Sequence, residues 1–441
     1  MAAKYAHEIR DPVHVFIRHD SDERKVINSR PVQRLRYIHQ LALSYLVYPG
    51  VTHRRFEHSL GAMELAGRVF DVITNPHNVT DQIRDLVPEI ADEPRLPYWR
   101  QMLRMAALCH DIGHLPFSHA AEHALLPDGW NHERLTRELI LSEEMASIWE
   151  GMRPRLAPED LVKLAVGPGK ATDLPFSSWE RILCEVVVSN AFGADRMDYL
   201  LRDSHHAGVA YGHFDHHRLI DSLRVLQPPA ESGSVEPALG VDEGGLHSAE
   251  ALLLARYFMF SQMYFHPIRQ VYDLHLQDFL SAWLDGGTFS IEVGDHLQMT
   301  DNEVTVAMAD AARGADASGH DPARRIMQRE HYKVLYQRKP DDLDATLEPG
   351  YAVFLAAQER FGADSVKHKR EKGSSGAVDF PVLQRDGSVV GSLVLSAVLR
   401  TLPRLDTDYV FIEPGRQREA LAWLAGARKD IISQATEAEE E

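Results

Sequence analysis

The sequence predicts a mostly α-helical fold: a helical core over residues 1–290 carrying one small β-hairpin, then a smaller α+β region over 291–441. Three observations predict it. Apolar residues recur at helical spacing through most of the first 290 positions. β-like alternation is confined to short stretches near 224–247 and after 285. The composition is that of an ordinary globular chain, 44% hydrophobic and 25% charged.

Taken in order, "RDPVHVFIRHDSDERKVIN" (10–28) reads as a short strand or loop leading into a helix. From Pro31 to Leu43, Val32, Leu35, Ile38 and Leu41 recur near helical spacing, with Arg34 and Arg36 between them. Leu60, Met63, Ala66, Val69, Phe70 and Ile73 continue a helical stripe directly after His58. A third helix, Trp99–Cys109, ends in a histidine cluster and is broken by Pro116, and Ser118 is placed to cap the next one. Residues 133–150 and 158–165 read as further helices, and 179–203 as a long one interrupted near Gly193. Around 224–247, "RVLQ" and "ALGVDEGGL" flank Pro, Gly and Ser, which predicts the β-hairpin. Ser248 then caps a long helix to Trp283.

Behind it, "TFSIEV" and "DFPVLQRDGSVVGSLVL" are β-like, the latter with a hairpin turn at Asp386–Gly387. Residues 300–312 and 321–337 are helix-like. "KHKREKGSSG" (367–376) predicts a polar, mobile loop near 365–377, and "ATEAEEE" a frayed acidic tail.

The totals exclude several functions. No run approaches the roughly 18 apolar residues of a membrane helix, and the N-terminus lacks a signal-peptide apolar stretch. Cys109 and Cys184 cannot form a disulfide framework, so a reducing cytoplasm is the simplest home. The net charge of −18 argues against broad binding to nucleic acid but leaves room for a local basic pocket that takes a small polyanion. "GPGK" (167–170) lacks the spacing of a phosphate loop and reads as a turn; "KHKREK" reads as a solvated charge run.

The 24 histidines are the unusual count, and they cluster in "VTHRRFEHSLG" (51–61) and "CHDIGHLPFSHAAEH" (109–123). Divalent transition metals prefer imidazole and carboxylate ligands. His110 and Asp111 are adjacent, so they can share one ion only at a helix end or bend, as the break at Gly113–Pro116 provides. That geometry asks for a histidine from one neighbouring helix and a carboxylate from another. His58 and Asp195, in "NAFGADRMDYLLRD", are the candidates.

In order, the chain carries "DPVH" (11–14), "QRLRYIHQL" (33–41), "YPGVTHRRFEHSLG", "CHDIGHLPFSH" and "WNHE" (130–133). "ADRMDYLLRDSHHAG", "ARYFMFSQMYFH" (255–266) and, more weakly, "HLQMTDNEV" (296–304) follow. Over about its first 300 residues it resembles the HD-domain phosphohydrolases, specifically the dNTP triphosphohydrolases typified by the sterile-alpha-motif/HD-domain enzyme and its bacterial dGTPase-like relatives.

The resemblance implies a helical HD core in which His58, His110, Asp111 and Asp195 hold a divalent metal: iron, manganese, magnesium, nickel, cobalt or zinc. It implies attack at the α-phosphorus of a dNTP, releasing a deoxynucleoside and tripolyphosphate. His119 would protonate the departing 5′ oxygen, with His114 beside the metal and Glu122 and His132 tuning the acid; relatives often carry aspartate at the Glu122 position. Arg55, Arg196 and Tyr199 match phosphate or sugar contacts, Gln40 and Asp203 the residues on the 3′-hydroxyl, and Tyr264 the ring that fills the space of a 2′-hydroxyl. Leu41, Phe265 and His266 match the base end, where relatives often have glutamine for Phe265, so base preference does not carry over. Gln33 and Arg36 match an allosteric guanine-nucleotide contact, but Asn28–Ser29 replaces the aspartate–threonine pair that reads guanine, and asparagine puts a donor where an acceptor is needed. The family also implies a homo-oligomer, whether dimer, tetramer or hexamer. Two alternatives stand beside this reading: an HD-type phosphodiesterase or nucleotidase on another nucleotide or nucleic-acid end, and a nucleotide-sensing protein whose hydrolysis is incidental.

Overall fold

His58, His110, Asp111 and Asp195 sit where helices begin or end, and the fold is best followed through those ends. The computed structural model describes residues 7–440 apart from 119, 121, 123–124, 230–235, 340, 343–347 and 374–376. The central element is the 19-residue helix Arg55–Ile73, buried on more than one face. Leu96–Cys109 packs on one side of it and Ala194–Ala207 on another. Leu96–Cys109 opens with a proline, where a missing N–H costs nothing. It gives way at His110–Gly113 to a turn held by Gly113 N–H donating to Thr136 Oγ1 at 3.1 Å. A Cβ on Gly113 would lie 2.2 Å from the His132 carbonyl oxygen, so only glycine lets the helix His132–Ile140 approach so closely.

The helices Ser178–Val188 and Ala194–Ala207 are separated near Gly193 as expected, and the helix Pro158–Val166 ends at the turn over 167–170. The strand expected to lead into a helix within 10–28 is the second of an antiparallel hairpin, β1 (His7–Asp11) and β2 (Val15–His19), before the helix Ser21–Ile27. Elsewhere the expected elements differ. The Pro31–Leu43 stripe is not one helix: Arg30–Arg34 passes through a 3₁₀ turn, Leu35–Tyr37, into extended backbone at Ile38. There Gln40 N–H bonds the His53 carbonyl, and Arg55 N–H bonds that of Ile38. The apolar side chains reach the core without the helix continuing. The 133–150 helix is two, His132–Ile140 and Glu143–Gly151. The helix assigned to 248–283 starts at Leu246, runs to Met259, passes a π turn at Phe260–Tyr264 and restarts as Pro267–Trp283, because Pro267 has no N–H to continue it.

The expected hairpin is β3 (Leu223–Leu226) against β4 (Ala238–Asp242), extended by β7 (Pro381–Leu383) parallel to β4 and β8 (Val389–Gly391). "TFSIEV" forms no strand: Phe289 N–H bonds the Leu125 carbonyl and its ring fills a second apolar cluster around Pro267–Trp283. The 321–337 stretch splits into the helix His320–Met327 and β5 (Lys333–Gln337). "KHKREK" is not loop but β6 (Val366–Lys372), paired with β9 (Asp406–Ile412) in the sheet β5–β9–β6. The acidic tail continues the helix Gln417–Glu440, as its Ala and Glu content favours. The main core cluster draws on Phe380, Val382 and Leu399 as well as the first 290 residues. Among the described residues no helix is long and apolar enough to cross a membrane. Both cysteines are buried and free.

Candidate active site

Three helix ends converge. His58 lies in the first turns of Arg55–Ile73, His110 and Asp111 just past the end of Leu96–Cys109, and Asp195 at the start of Ala194–Ala207. His58 Nε2 is 3.1 Å from Asp195 Oδ1 and 3.7 Å from Asp111 Oδ2. His110 Nε2 is 3.3 Å from Asp111 Oδ1 and 3.4 Å from Asp195 Oδ1. Behind the cluster, His58 Nδ1 meets Asp198 Oδ2 at 2.9 Å, and His110 Nδ1 meets the Ala107 carbonyl at 2.8 Å. Each Nδ1 therefore donates outward, which points each Nε2 into the cluster, where a bound cation would take the place of a proton. Both Nε2 atoms are buried without a hydrogen-bond partner. Two inward nitrogens and two carboxylates fit a divalent transition metal and leave positions open for water or substrate.

The electrostatics agree. Burial would lower the pKa of His58, yet Asp195 and Asp198 outweigh it and raise it to about 10. Against the same burial, His110 and His58 hold the Asp195 carboxyl far below its usual range, and His110, Arg55 and His114 do so for Asp111. The cluster attracts positive charge.

A second group adjoins it. His132 Nδ1 is 2.6 Å from Glu122 Oε1, which also accepts the His132 backbone N–H at 2.9 Å. The His114 ring stacks on His132 at 4.0 Å, and its Nε2 lies 3.3 Å from Asp111 Oδ1. Burial, Arg55 and His132 push the His114 pKa well down, so it stays neutral. The helix starting at His132 is capped by Asn131, whose side chain accepts the Arg134 N–H. His119 lies outside the described residues. Ser118 hydrogen-bonds Arg55 Nε and the His39 carbonyl; the helix it was expected to cap is not described in full.

From this cluster a cavity of about 800 Å³ runs past Gln40, Leu41, Tyr199, Asp203 and Tyr264 to Phe265. Asp203 accepts the Tyr264 hydroxyl at 2.6 Å and faces His53 Nε2 at 2.7 Å. Burial and Asp203 raise the Tyr264 pKa, so the phenol stays a donor. Arg55 is on the cavity wall, paired with Asp111. Other expected residues are elsewhere. Arg196 turns to the Asn190 carbonyl and does not line the cavity. His266 caps its helix, accepting the Ile268 N–H, with its ring edge on Tyr48. Gln33 and Arg36 close on themselves: Arg36 Nε donates to Gln33 Oε1, and the guanidinium stacks 3.6 Å from the Phe56 ring centre.

Several residues escaped the sequence. Asp198 sits one turn past Asp195, a spacing that could have flagged it. Lys170 from the 167–170 turn, and Arg269, Gln270, Asp273, Lys369 and Glu371 also line the cavity. The last two come from β6, whose polar run after Val366 carries no apolar strand period.

A helical core holding histidine, histidine–aspartate and aspartate in that order defines the HD class of hydrolases. The HD domain model matches residues 55–166 and the HD associated region 214–351, and the chain belongs to the HD-domain phosphohydrolase family. It is 34% identical over 262 residues to the uncharacterized protein YwfO of Bacillus subtilis (59% of this chain, 52% of YwfO). It is 27% identical over 370 residues to the deoxynucleoside triphosphate triphosphohydrolase SAMHD1 of Gallus gallus (76% of this chain, 56% of that one). The chain thus spans about half the length of the curated relatives it matches. A crystal structure of a hypothetical protein from Aquifex aeolicus superposes with a TM-score of 0.76 at 29% identity, covering 95% of this chain and 99% of that one.

Proposed function

We propose that this protein is a metal-dependent dNTP triphosphohydrolase that cleaves at the α-phosphorus and releases deoxynucleoside and tripolyphosphate. The observation that supports it best is the convergence of the His58 and His110 Nε2 atoms with Asp111 and Asp195 at one end of a cavity that the Asp203–Tyr264 pair also lines. His58, His110, Asp111 and Asp195 would hold the ion, which would supply Lewis-acid polarisation of a phosphate oxygen and a more acidic bound water. Arg55, already beside the cluster, offers its guanidinium to the same phosphates. Asp203 and Gln40 take the sugar's 3′-hydroxyl, and the Tyr264 ring occupies the place of a 2′-hydroxyl. His119 delivers the proton to the 5′ oxygen, and the hydrogen-bonded Glu122–His132 pair tunes the transfer. The protein acts in the cytoplasm as a homo-oligomer.

The test is chromatography of the products from each dNTP and NTP with Mn²⁺ present. Deoxynucleoside plus tripolyphosphate, with ribonucleotides untouched, is expected. Pyrophosphate, orthophosphate or equal turnover of NTPs overturns the proposal, and binding without turnover identifies a sensor instead.

A further inference from the structure

Behind His58 lies a fully buried network that no metal ligand accounts for. Asp198 Oδ2 bonds His58 Nδ1, and its other oxygen, Oδ1, bonds His14 Nε2 at 2.7 Å. Arg202, one turn on, grips both oxygens, Nε to Oδ2 and Nη2 to Oδ1, each at 2.9 Å. Its remaining arm, Nη1, reaches Asp11 Oδ2 at 2.8 Å. Asp11 Oδ1 in turn accepts the backbone N–H groups of Val13 and His14, both at 2.8 Å, which fixes the loop that presents the His14 ring. His14, Asp198, Arg202 and His58 are each at most 4% exposed.

Two signs mark this as a built arrangement. A Cβ on Gly61 would fall 1.8 Å from Asp198 Oδ1 and 2.5 Å from Arg202 Nη2, so the central helix carries its glycine where the network crosses it. Val15, directly after His14, has φ of 65°, a conformation a β-branched residue adopts only under constraint from its surroundings. The hairpin accepts strain at the residue that follows its contact with Asp198. Two carboxylates, Asp198 and Asp11, and the Arg202 guanidinium between them stand directly behind His58. A carboxylate on the far nitrogen fixes the ring's tautomer and orientation and strengthens it as a ligand.

We propose that His14, on the N-terminal β1–β2 hairpin, is a positioning residue of the metal centre, acting through Asp198 on His58. The hairpin is thereby part of the metal site although it contributes no ligand. Removing His14 frees Asp198 to swing about its Arg202 contacts, and His58 loses its fixed orientation. This inference rests on the metal-centre reading above, and its test keeps the two apart.

Mn²⁺ affinity is measured by equilibrium dialysis with electron paramagnetic resonance of the bound ion. Wild-type chain is compared with His14→Leu, His14→Gln and Asp198→Asn, each checked for fold by circular dichroism. His14→Leu and Asp198→Asn are expected to weaken binding by about 10–100-fold. His14→Gln, whose side-chain N–H can reach the same oxygen, recovers most of that loss. Should His14→Leu fail to fold, His14→Phe, which keeps a ring of similar shape without its nitrogens, carries the test. Unchanged affinity in folded variants overturns the inference and leaves the metal site standing, whereas a wild-type chain that binds no Mn²⁺ overturns the metal site itself.

Discussion

Tyr264 donates its hydroxyl to Asp203 across 2.6 Å, and both side chains are buried. The contact ties the end of one helical segment, the π turn at Phe260–Tyr264, to the helix Ala194–Ala207 that also carries Asp195. Asp203's other oxygen faces His53 at 2.7 Å, so the carboxylate is held from two sides and the Tyr264 ring is held with it. The edge-to-face contact with Tyr199, ring centres 6.2 Å apart, adds a third restraint. A rigid ring at this point in the cavity can reject a substituent; a mobile one could not.

Ring and hydroxyl therefore separate experimentally. Tyr264→Phe removes one hydrogen bond to a buried carboxylate and should lower stability by ~1–3 kcal/mol while keeping the preference for deoxynucleotides. Tyr264→Ala should erode that preference by letting ribonucleotides enter. Paired melting curves and kcat/KM ratios for dNTP against NTP check both outcomes, and an alanine variant that still rejects ribonucleotides would remove the ring from the selectivity argument.

Asp195 is the ligand candidate best suited to deletion, because its side chain is 32% exposed and little packing is lost with it. Asp195→Ala is expected to abolish turnover and to weaken metal binding by more than the roughly 10–100-fold that loss of a partner behind a ligand costs. The double change His110→Ala/Asp111→Ala should do the same. Elemental analysis of the purified variants, alongside melting temperature, separates ligand loss from unfolding. Full metal content in either variant would move the ion elsewhere.

The sequence disclosed the histidine–aspartate cluster because its members sit in short, histidine-rich runs, and adjacency of His110 and Asp111 already demanded a helix end if both were to face one point. The structure supplies that end. It disclosed the helices Arg55–Ile73 and Leu96–Cys109 because their apolar periodicity continues over several turns. It failed where long-range pairing decides. Ile38 keeps helical spacing with its neighbours, yet backbone bonds to the 53–55 segment hold it extended. β6 is polar after Val366, so no apolar period of two marks it before β9 pairs with it. Arg196 follows Asp195 in sequence and still turns to Asn190, because successive side chains on a helix diverge. Asp198 and His14, 184 residues apart, meet only in the fold.

Away from the site, Glu185 gives the pH dependence of stability a definite sign. It lies on the helix Ser178–Val188, half-buried, with Leu239 N–H donating to its Oε2 at 2.7 Å. Burial raises its pKa from 4.5 to about 6, and the hydrogen bond offsets only part of that. A carboxyl whose folded pKa exceeds its unfolded one binds more protons when folded, so stability falls as pH rises through this window. Its contribution is whole below about pH 4.5 and is lost by about pH 6, a difference of ~1–2 kcal/mol after allowing for partial solvent exposure. Glu185→Gln keeps an acceptor for the Leu239 N–H and removes the titration. The variant should match the natural chain at pH 4 and exceed its stability by about that amount at pH 8, as read by denaturant unfolding at the two pH values. A stability difference that is the same at both would show that Glu185 does not titrate in this window.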